Sequence, residues 1–362
     1  MSLDSVLKNE EKTVFSLRAL YQRYGYLPYR MSKFEAYDLY AKNKDFLVSE
    51  NIITFTDTDG KLLALKPDVT LSIIKNGEDG ALQKVYYNEN VYRVSPSTGS
   101  YKEIMQVGLE CIGKVDDFCT MEVLYLAYES LKTVSDDFVL DLSHMGIISE
   151  LIDAAGVSTD AAKMIVSYIG EKNVHDMTAL LEKEGASEEA VQNLSRLVTT
   201  FGPVETVLPF LKSLSTPSAA HLAKIAQSLG AHDPRVRIDF SVTSDMNYYN
   251  GIVFQGFVSG IPGSVLSGGQ YDNLMQKMHR NDSAIGFAVY LDALSYLDAA
   301  TSGFDVEAVL LYPDHMDEAA VMSAVEDLQK SHKSVMAVRE LPNSVTYQSV
   351  YTLTREGVTK NE

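Results

Sequence analysis

Apolar and polar positions repeat with two different periods along the chain. Between residues 9 and 23 apolar side chains recur at helical spacing and Gly25 follows, which predicts an opening amphipathic helix. Residues 52 to 65 instead alternate β-branched and apolar side chains on either side of an Asp-Gly turn, a pattern typical of a β-hairpin. Residues 84 to 113 predict a second hairpin, because a turn-rich SPSTGS segment separates two strand-like runs.

The pattern then changes to helices and returns to strands. Between about residues 146 and 232, segments rich in Ala, Leu and Glu end in glycine, which predicts an inserted helical subdomain. Strand signals resume at VRIDFSV, and we expect helices at YDNLMQKM and over 286 to 297. We therefore expect a core over residues 1 to 302 and a small α/β unit over 303 to 362.

The order of these elements predicts the fold class. Strands that follow one another in hairpins form antiparallel sheets, whereas alternating βαβ units would form parallel ones. The sequence therefore predicts an α+β protein in which helices flank an antiparallel sheet.

Composition narrows the classes of function. The chain has 362 residues with 31 Lys and Arg against 49 Asp and Glu, a net charge of −18. This charge argues against a general binder of nucleic acid or anionic membrane. No apolar run approaches the roughly 20 residues of a membrane helix. The first residues lack a secretory signal, so we expect a cytoplasmic protein.

Cysteine and histidine usage predicts neither a metal nor a cofactor. Cys111 and Cys119 are too few for a disulfide framework or a thiolate zinc site, and we expect both to be reduced core residues. The seven histidines are scattered, without metal-ligand spacing to a carboxylate or cysteine.

One strand carries the sharpest candidate site. Gln106, Gly108 and Glu110 must share one face because strand side chains alternate, while the apolar side chains between them face a core. An amide and a carboxylate on either side of a glycine could admit a small polar ligand. The alternative is that this face is solvated and that Gly108 marks a β-bulge.

Two tyrosine- and glycine-rich segments, Asn247 to Gly251 and Ser267 to Asp272, form a second candidate. Tyrosine offers a ring to stack and a hydroxyl to hydrogen-bond, and glycine lets a backbone approach a ligand closely, although such segments also form ordinary turns. Together with the strand, they suggest a tyrosine-lined site for a small ligand, without an obvious nucleophile.

Five segments in order resemble histidyl-tRNA synthetase across roughly residues 9 to 295: Lys66-Pro67-Asp68-Val69-Thr70; Tyr92-Arg93 before Gly99; Gln106 to Glu110; Asn247-Tyr248-Tyr249; and Gly268 to Asp272 before Gly286-Phe287. This resemblance implies a class II synthetase fold that dimerises through its first motif. It also implies a histidine pocket with an ammonium side (Asp68, Thr70, Gln106), an imidazole side (Glu110, Tyr248, Tyr249) and Arg93 as an anion contact.

The chain departs from the synthetase pattern where the chemistry needs positive charge. Ala293 occupies the place of the ATP-clamping arginine, and Ser244 replaces a second arginine that serves the amino-acid carboxylate and catalysis. Adenylation brings a carboxylate against a polyanion, so cationic donors must stabilise its transition state. Residues 304 to 362 carry a net charge of −5 and are shorter than the synthetase anticodon-binding domain, which makes tRNA binding there unexpected.

This combination resembles the family of ATP phosphoribosyltransferase regulatory subunits. The resemblance implies a non-catalytic protein that activates the short-form catalytic subunit in the first step of histidine biosynthesis, dimerises within a hetero-octamer and mediates feedback inhibition by histidine. It implies neither a tRNA nor a membrane partner. The alternatives are an active histidyl-tRNA synthetase with displaced arginines, and a synthetase-like sensor that serves another partner.

Overall fold

A large sheet organises the first of two compact units in the computed structural model. The structure describes residues 7–43, 52–78, 80–94, 99–230, 233–244, 248–297 and 304–361. The larger unit spans Asn9–Leu297, and the smaller comprises Asp298–Glu362 with Met1–Lys8.

The strands of the larger unit are β1 (Leu27–Pro28), β2 (Phe34–Ala36), β3 (Thr54–Thr56), β4 (Leu62–Leu65), β5 (Gln83–Val94), β6 (Tyr101–Gly113), β7 (Phe138–His144), β8 (Phe201–Pro203), β9 (Val236–Asp239), β10 (Ile252–Val258), β11 (Leu266–Gln270) and β12 (Ser283–Tyr290). Those of the smaller unit are β13 (Val306–Leu311), β14 (Val335–Val338), β15 (Tyr347–Thr354) and β16 (Gly357–Lys360).

The helices are α1 (Asn9–Arg23), α2 (Tyr37–Ala41), α3 (Thr70–Asn76), α4 (Asp117–Val134), α5 (Met145–Ala155), α6 (Thr159–Gly170), α7 (Val174–Lys183), α8 (Glu188–Thr199), α9 (Val204–Leu214), α10 (Pro217–Gly230), α11 (Asp272–Lys277) and α12 (Glu318–Leu328), with a 3-10 helix over Leu291–Leu297. Several begin at a polar cap: the Asp116 carboxylate accepts from the Cys119 N–H at 2.8 Å, and the Ser158 and Ser187 hydroxyls cap α6 and α8. Among the described residues, no helix is both long and apolar enough to cross a membrane.

Over the described residues, the main sheet has nine strands in the order β1-β5-β6-β12-β11-β10-β7-β9-β8. Its pairs are antiparallel except β1 with β5 and β7 with β9. Both predicted hairpins are confirmed, because β3 pairs antiparallel with β4 and β5 pairs antiparallel with β6. Residues 95–98 of the second predicted turn lie outside the described residues. The predicted α+β class, with helices against an antiparallel sheet, is therefore confirmed.

The two faces of the central strand β6 differ as the alternation predicts. Val107, Leu109 and Cys111 are completely buried in an apolar core that includes residues of α1 and α4. Cys111 and Cys119 are both free thiols in that core, as expected. The opposite face of β6 carries the candidate site.

One sequence prediction is wrong. Residues 286 to 290 form the end of β12 rather than the start of a helix, and only Leu291–Leu297 is helical, as a 3-10 turn. Short apolar runs have no decisive period, so a buried central strand and a buried helix look alike in sequence. Tertiary pairing decides here, since β12 hydrogen-bonds to β6 on one side and β11 on the other.

The smaller unit is an α/β sheet of its own. β13 lies between β14 and β15 and is parallel to both, while β16 pairs antiparallel with β15 at the edge. Helix α12 packs its buried Val321, Val325 and Leu328 in an apolar cluster with Leu310 of β13.

Truncation of the central strand tests the core assignment. Because Leu109 is completely buried, Leu109→Ala removes buried apolar contacts and leaves a cavity, and we expect a loss of about 2–5 kcal/mol in the free energy of unfolding. Tyr101 starts the same strand and is 73% exposed, so Tyr101→Ala serves as the control and should change stability by less than about 1 kcal/mol. Urea unfolding checks both, and equal losses would contradict the assignment.

Candidate functional site

A cavity of about 420 Å³ opens on the polar face of the main sheet. Strands β5, β6, β10, β11 and β12 and the start of α3 contribute to its walls. All of the predicted site residues line it: Asp68, Thr70, Arg93, Gln106, Glu110, Tyr248 and Tyr249. Asn247 lies outside the described residues.

The register of the strands explains how the cavity forms. Glu110 of β6 pairs with Gly286 of β12, and Gly108 pairs with Ala288, so small residues of β12 stand opposite Glu110 and Gly108. A Cβ at Gly286 would lie 1.7 Å from Glu110 Oε2, and one at Gly108 would lie 2.4 Å from the Tyr87 hydroxyl. Glycine at these two positions therefore makes room for the side chains beside it.

The alternative of a solvated face is wrong. Gln106 is 4% exposed and Glu110 is 2% exposed, and Gly108 lies in regular register with both neighbouring strands, without a bulge. Buried polar side chains are costly unless they are hydrogen-bonded, so this face is built for polar contacts.

Two hydroxyl groups hold the Glu110 carboxyl group. Thr70 Oγ1 donates to Oε1 at 2.8 Å, and the Tyr271 hydroxyl donates to Oε2 at 2.6 Å. Burial raises the pKa of Glu110 to about 8, although these two hydrogen bonds favour the charged form. At neutral pH the Glu110 carboxyl group is therefore protonated in most molecules, which gives the site a buried proton donor.

Asp68 and Arg93 form the charged side of the cavity. Asp68 Oδ1 accepts from the Leu71 N–H at 3.0 Å at the start of α3. Burial raises the pKa of Asp68, while the Leu71 N–H and the positive charge of Arg93 partly offset this effect. Arg93 Nε donates to the Pro67 carbonyl at 2.9 Å, which orients the guanidinium group beside the carboxylate.

Tyrosine rings form the remaining wall. The Tyr248 and Tyr249 ring centroids are 4.4 Å apart, and Tyr271 lies 6.1 Å from Tyr248. Burial raises the pKa of all three hydroxyl groups well above the usual value, so they stay neutral and can donate hydrogen bonds.

The sequence reasoning missed two of these contacts. Tyr271 belongs to one of the two tyrosine- and glycine-rich segments but has no predicted role of its own. Tyr87 belongs to none of the predicted site segments, yet both tyrosines line the cavity. The register of the second hairpin contains a signal for Tyr87: counting back from the Val94–Tyr101 pair at the turn places it opposite Gly108. Tyr271 follows β11 and comes to Glu110 only through the order of strands in the sheet, which short-range patterns do not contain.

The cavity has little positive charge. Among the described residues that line it, Arg93 is the sole cation, against the carboxyl groups of Asp68 and Glu110. Ser244 lines the cavity without a charge, and Ala293 packs against the apolar core. The two positions at which the resemblance expected synthetase arginines therefore supply none.

Comparison with known proteins shows the family of the chain. The family model for histidyl-tRNA synthetase matches residues 3–294. A curated ATP phosphoribosyltransferase regulatory subunit from Geobacter metallireducens is 30% identical over an alignment of 306 residues that covers 81% of this chain and 70% of that protein. The chain belongs to the histidyl-tRNA synthetase-like family of ATP phosphoribosyltransferase regulatory subunits.

Solved structures show the same fold. The crystal structure of an ATP phosphoribosyltransferase regulatory subunit/histidyl-tRNA synthetase from Bacillus halodurans superimposes with a TM-score of 0.73 at 22% identity, covering 95% of this chain and 93% of that one. A chain of the ATP phosphoribosyl transferase (HisG:HisZ) complex from Thermotoga maritima gives a TM-score of 0.63 at 19% identity, covering 78% of this chain and 97% of that one. The synthetase-like fold expected for this regulatory-subunit family is therefore confirmed.

A methyl group at position 286 tests the role of the glycine. Because the new Cβ would overlap the Glu110 carboxyl group, Gly286→Ala should displace that side chain and weaken its hydrogen bonds with Thr70 and Tyr271. We expect a loss of about 1–3 kcal/mol in the free energy of unfolding. Ser323→Ala on the exposed side of α12 is the control and should change stability little. A glycine such as Gly185 is unsuitable as a control, because its positive φ would strain any side chain. Chemical denaturation measures both variants. If Gly286→Ala loses no more unfolding free energy than Ser323→Ala, the packing described here is contradicted.

The raised pKa of Glu110 predicts a pH dependence of stability. Between its ordinary value near 4.5 and about 8, the folded chain holds a proton that the unfolded chain releases, so this group's contribution to stability falls as the pH rises through that window. The slope is at most about 1.4 kcal/mol per pH unit. Glu110→Gln should remove this slope from urea-derived unfolding free energies, and Glu182→Gln on the exposed part of α7 should leave it. An unchanged slope in Glu110→Gln would show that the carboxyl group ionises normally.

Proposed function

We propose that this chain is a non-catalytic histidine sensor that activates a short-form ATP phosphoribosyltransferase catalytic subunit and mediates feedback inhibition by histidine. The observation that supports this proposal most strongly is a cavity whose residues suit histidine but which has one cation among its described lining residues. Histidine recognition needs hydrogen-bonding groups, which the lining supplies. Adenylation also needs several cations, and the described lining supplies one.

Glu110 is the proposed contact for the imidazole ring. A protonated carboxyl group with a pKa of about 8 can donate to a neutral imidazole nitrogen, and proton transfer would leave a buried carboxylate–imidazolium pair. Thr70 and Tyr271 would then stabilise the carboxylate through the hydrogen bonds they already make. The Tyr248 and Tyr249 rings, tilted 53° to each other, supply aromatic surface beside the ligand ring.

Asp68 and Gln106 are the proposed contacts for the ammonium group. Asp68 supplies negative charge, and the buried Gln106 amide supplies a neutral acceptor in the same cavity. Thr70 was expected there too, but its hydroxyl group already donates to Glu110, so it would serve both ends of the ligand.

The ligand carboxylate would lie toward Arg93. Ser244 cannot replace a guanidinium charge, and Arg93 is the one cation among the described lining residues. Its Nε hydrogen bond to Pro67 fixes the plane of the guanidinium group, which reduces the entropy lost when the ligand binds.

Synthetase activity is proposed to be absent. Removing one donor that stabilises a developing charge typically costs roughly 10² to 10³ in rate, and two arginines of the synthetase pattern are missing here. Histidine-dependent ATP–pyrophosphate exchange should therefore be undetectable. Measurable exchange would instead establish an active synthetase.

Regulation requires that histidine distinguish two conformations of the complex. A ligand shifts an equilibrium only by its difference in affinity for the two states, so histidine must favour the less active one. We propose that this occurs in a hetero-octamer containing dimers of this chain, as the family implies. No tRNA partner is proposed, because residues 304 to 362 carry a net charge of −5.

Calorimetry tests the pocket. Wild-type protein should bind histidine, and Glu110→Ala or Glu110→Gln should weaken binding at least about tenfold, because both remove a buried charge-assisted contact. Glu182→Ala on the exposed part of α7 is the control and should bind as wild type does. Equal histidine binding by wild type and Glu110→Ala would refute the assignment.

Enzyme assays test the regulatory role. Adding this chain to a short-form catalytic subunit should raise phosphoribosyl transfer from phosphoribosyl pyrophosphate to ATP, and histidine should lower the rate again. Glu110→Gln should still activate but should need at least about tenfold more histidine for inhibition. No activation would overturn the proposed partner, whereas activation with inhibition unchanged in Glu110→Gln would overturn the proposed sensor site.

A further inference from the structure

The smaller unit has a cavity of its own, separate from the candidate histidine site. It has a volume of about 430 Å³ and lies at the carboxyl ends of three parallel strands. Its lining consists of Leu311 at the end of β13 with Tyr312, Pro313, His315 and Met316 after it, Arg339 after β14, and Thr352–Thr354 at the end of β15 with Arg355 after it. Every lining residue belongs to the smaller unit.

Topology places this cavity where α/β sheets bind ligands. The chain leaves β13, passes through α12 to β14 on one side, and then returns to β15 on the other side of β13. The strand order therefore reverses at β13, and the carboxyl ends of β13 and β15 diverge toward opposite connections. Ligands in open α/β sheets bind in the crevice outside such a switch point.

The charge of the cavity is opposite to that of its unit. Residues 304 to 362 hold ten Asp and Glu against five Lys and Arg, yet both arginines of this segment, Arg339 and Arg355, line the cavity, and His315 joins them. Like charges on one small surface repel each other, and a bound anion would relieve that repulsion. The arrangement therefore favours an anionic ligand.

The nearest acid contact is weak enough to be displaced. Asp314 Oδ1 lies 3.1 Å from Arg339 Nε, but the two side chains are 85% and 63% exposed. Ion pairs this exposed contribute little to stability, so an entering anion can compete for the guanidinium group. Arginine matches the geometry of phosphate because its planar group can donate two parallel hydrogen bonds.

The rest of the lining of this cavity includes apolar and aromatic side chains, which suit a ring or another apolar group of a ligand. Leu311, Met316 and Leu353 are apolar, and the Tyr312 ring centroid lies 5.9 Å from the Arg339 guanidinium carbon. A ligand that carries both a phosphate and a ring could contact the arginines and the tyrosine together. We propose that this cavity binds a small organic phosphate with a heterocyclic ring, such as a nucleoside monophosphate.

Titration of the full chain tests this site, with AMP, adenosine and inorganic phosphate as the probes. AMP should bind more tightly than inorganic phosphate, and adenosine should not bind, because the arginines recognise the phosphate. Arg339→Gln and Arg355→Gln should each weaken AMP binding about 10- to 100-fold. Asp314→Asn should tighten it several-fold, because it removes the competing carboxylate.

Control variants separate binding at this site from a general charge effect and from binding at the candidate histidine site. Lys330→Gln removes one exposed positive charge of the same unit away from the cavity and should leave AMP affinity within about twofold. Arg93→Gln and Glu110→Gln alter the candidate histidine site. Both should leave AMP affinity unchanged, because AMP is proposed to bind in the smaller unit. No AMP binding at about 1 mM, or a loss caused by Arg93→Gln rather than by the arginine variants of the smaller unit, would overturn the proposal. Neither result depends on whether the chain binds histidine.

Discussion

The buried carboxyl group of Glu110 is the constraint on which the site depends. A carboxylate taken out of water needs partners, and here the Thr70 and Tyr271 hydroxyl groups supply them while burial favours the protonated form. This arrangement is possible only because Gly286 has no side chain on the paired strand. The chain thus keeps a costly buried polar group in its main sheet, which the proposed ligand recognition explains better than stability does.

In the proposed function, the same sheet binds an amino acid without activating it. Binding histidine requires hydrogen bonds and a proton donor, which neutral tyrosines and a carboxyl group provide. Binding a triphosphate also requires several cations, whereas Arg93 is the one cation among the described residues that line the cavity. Ser244 and Ala293, at the two positions where the resemblance to the synthetase implies arginines, supply no positive charge: Ser244 lines the cavity and Ala293 packs against the core.

Much of this arrangement could be predicted from local sequence patterns. Alternation on β6 placed Glu110 and Gln106 on one face, and family resemblance named the residues that now line one cavity. The Tyr271 contact could not be read locally, because β11 reaches β6 only through β12. The helix expected at residues 286 to 290 failed for a related reason: the partners of a buried central strand lie far away in sequence. Sequence patterns also did not reveal the arginine-lined cavity of the smaller unit, which depends on strand order.

The protonation state of Glu110 tests the central claim most directly. Carbon-13 NMR of protein labelled at the glutamate carboxyl carbon, assigned with Glu110→Gln, would follow this group through a pH titration with and without histidine. We predict an apparent pKa near 8 for Glu110 in the free chain and, at neutral pH, a shift of its resonance to the carboxylate position when histidine is added. A carboxyl group that titrates near 4.5, or whose resonance ignores saturating histidine, would contradict it.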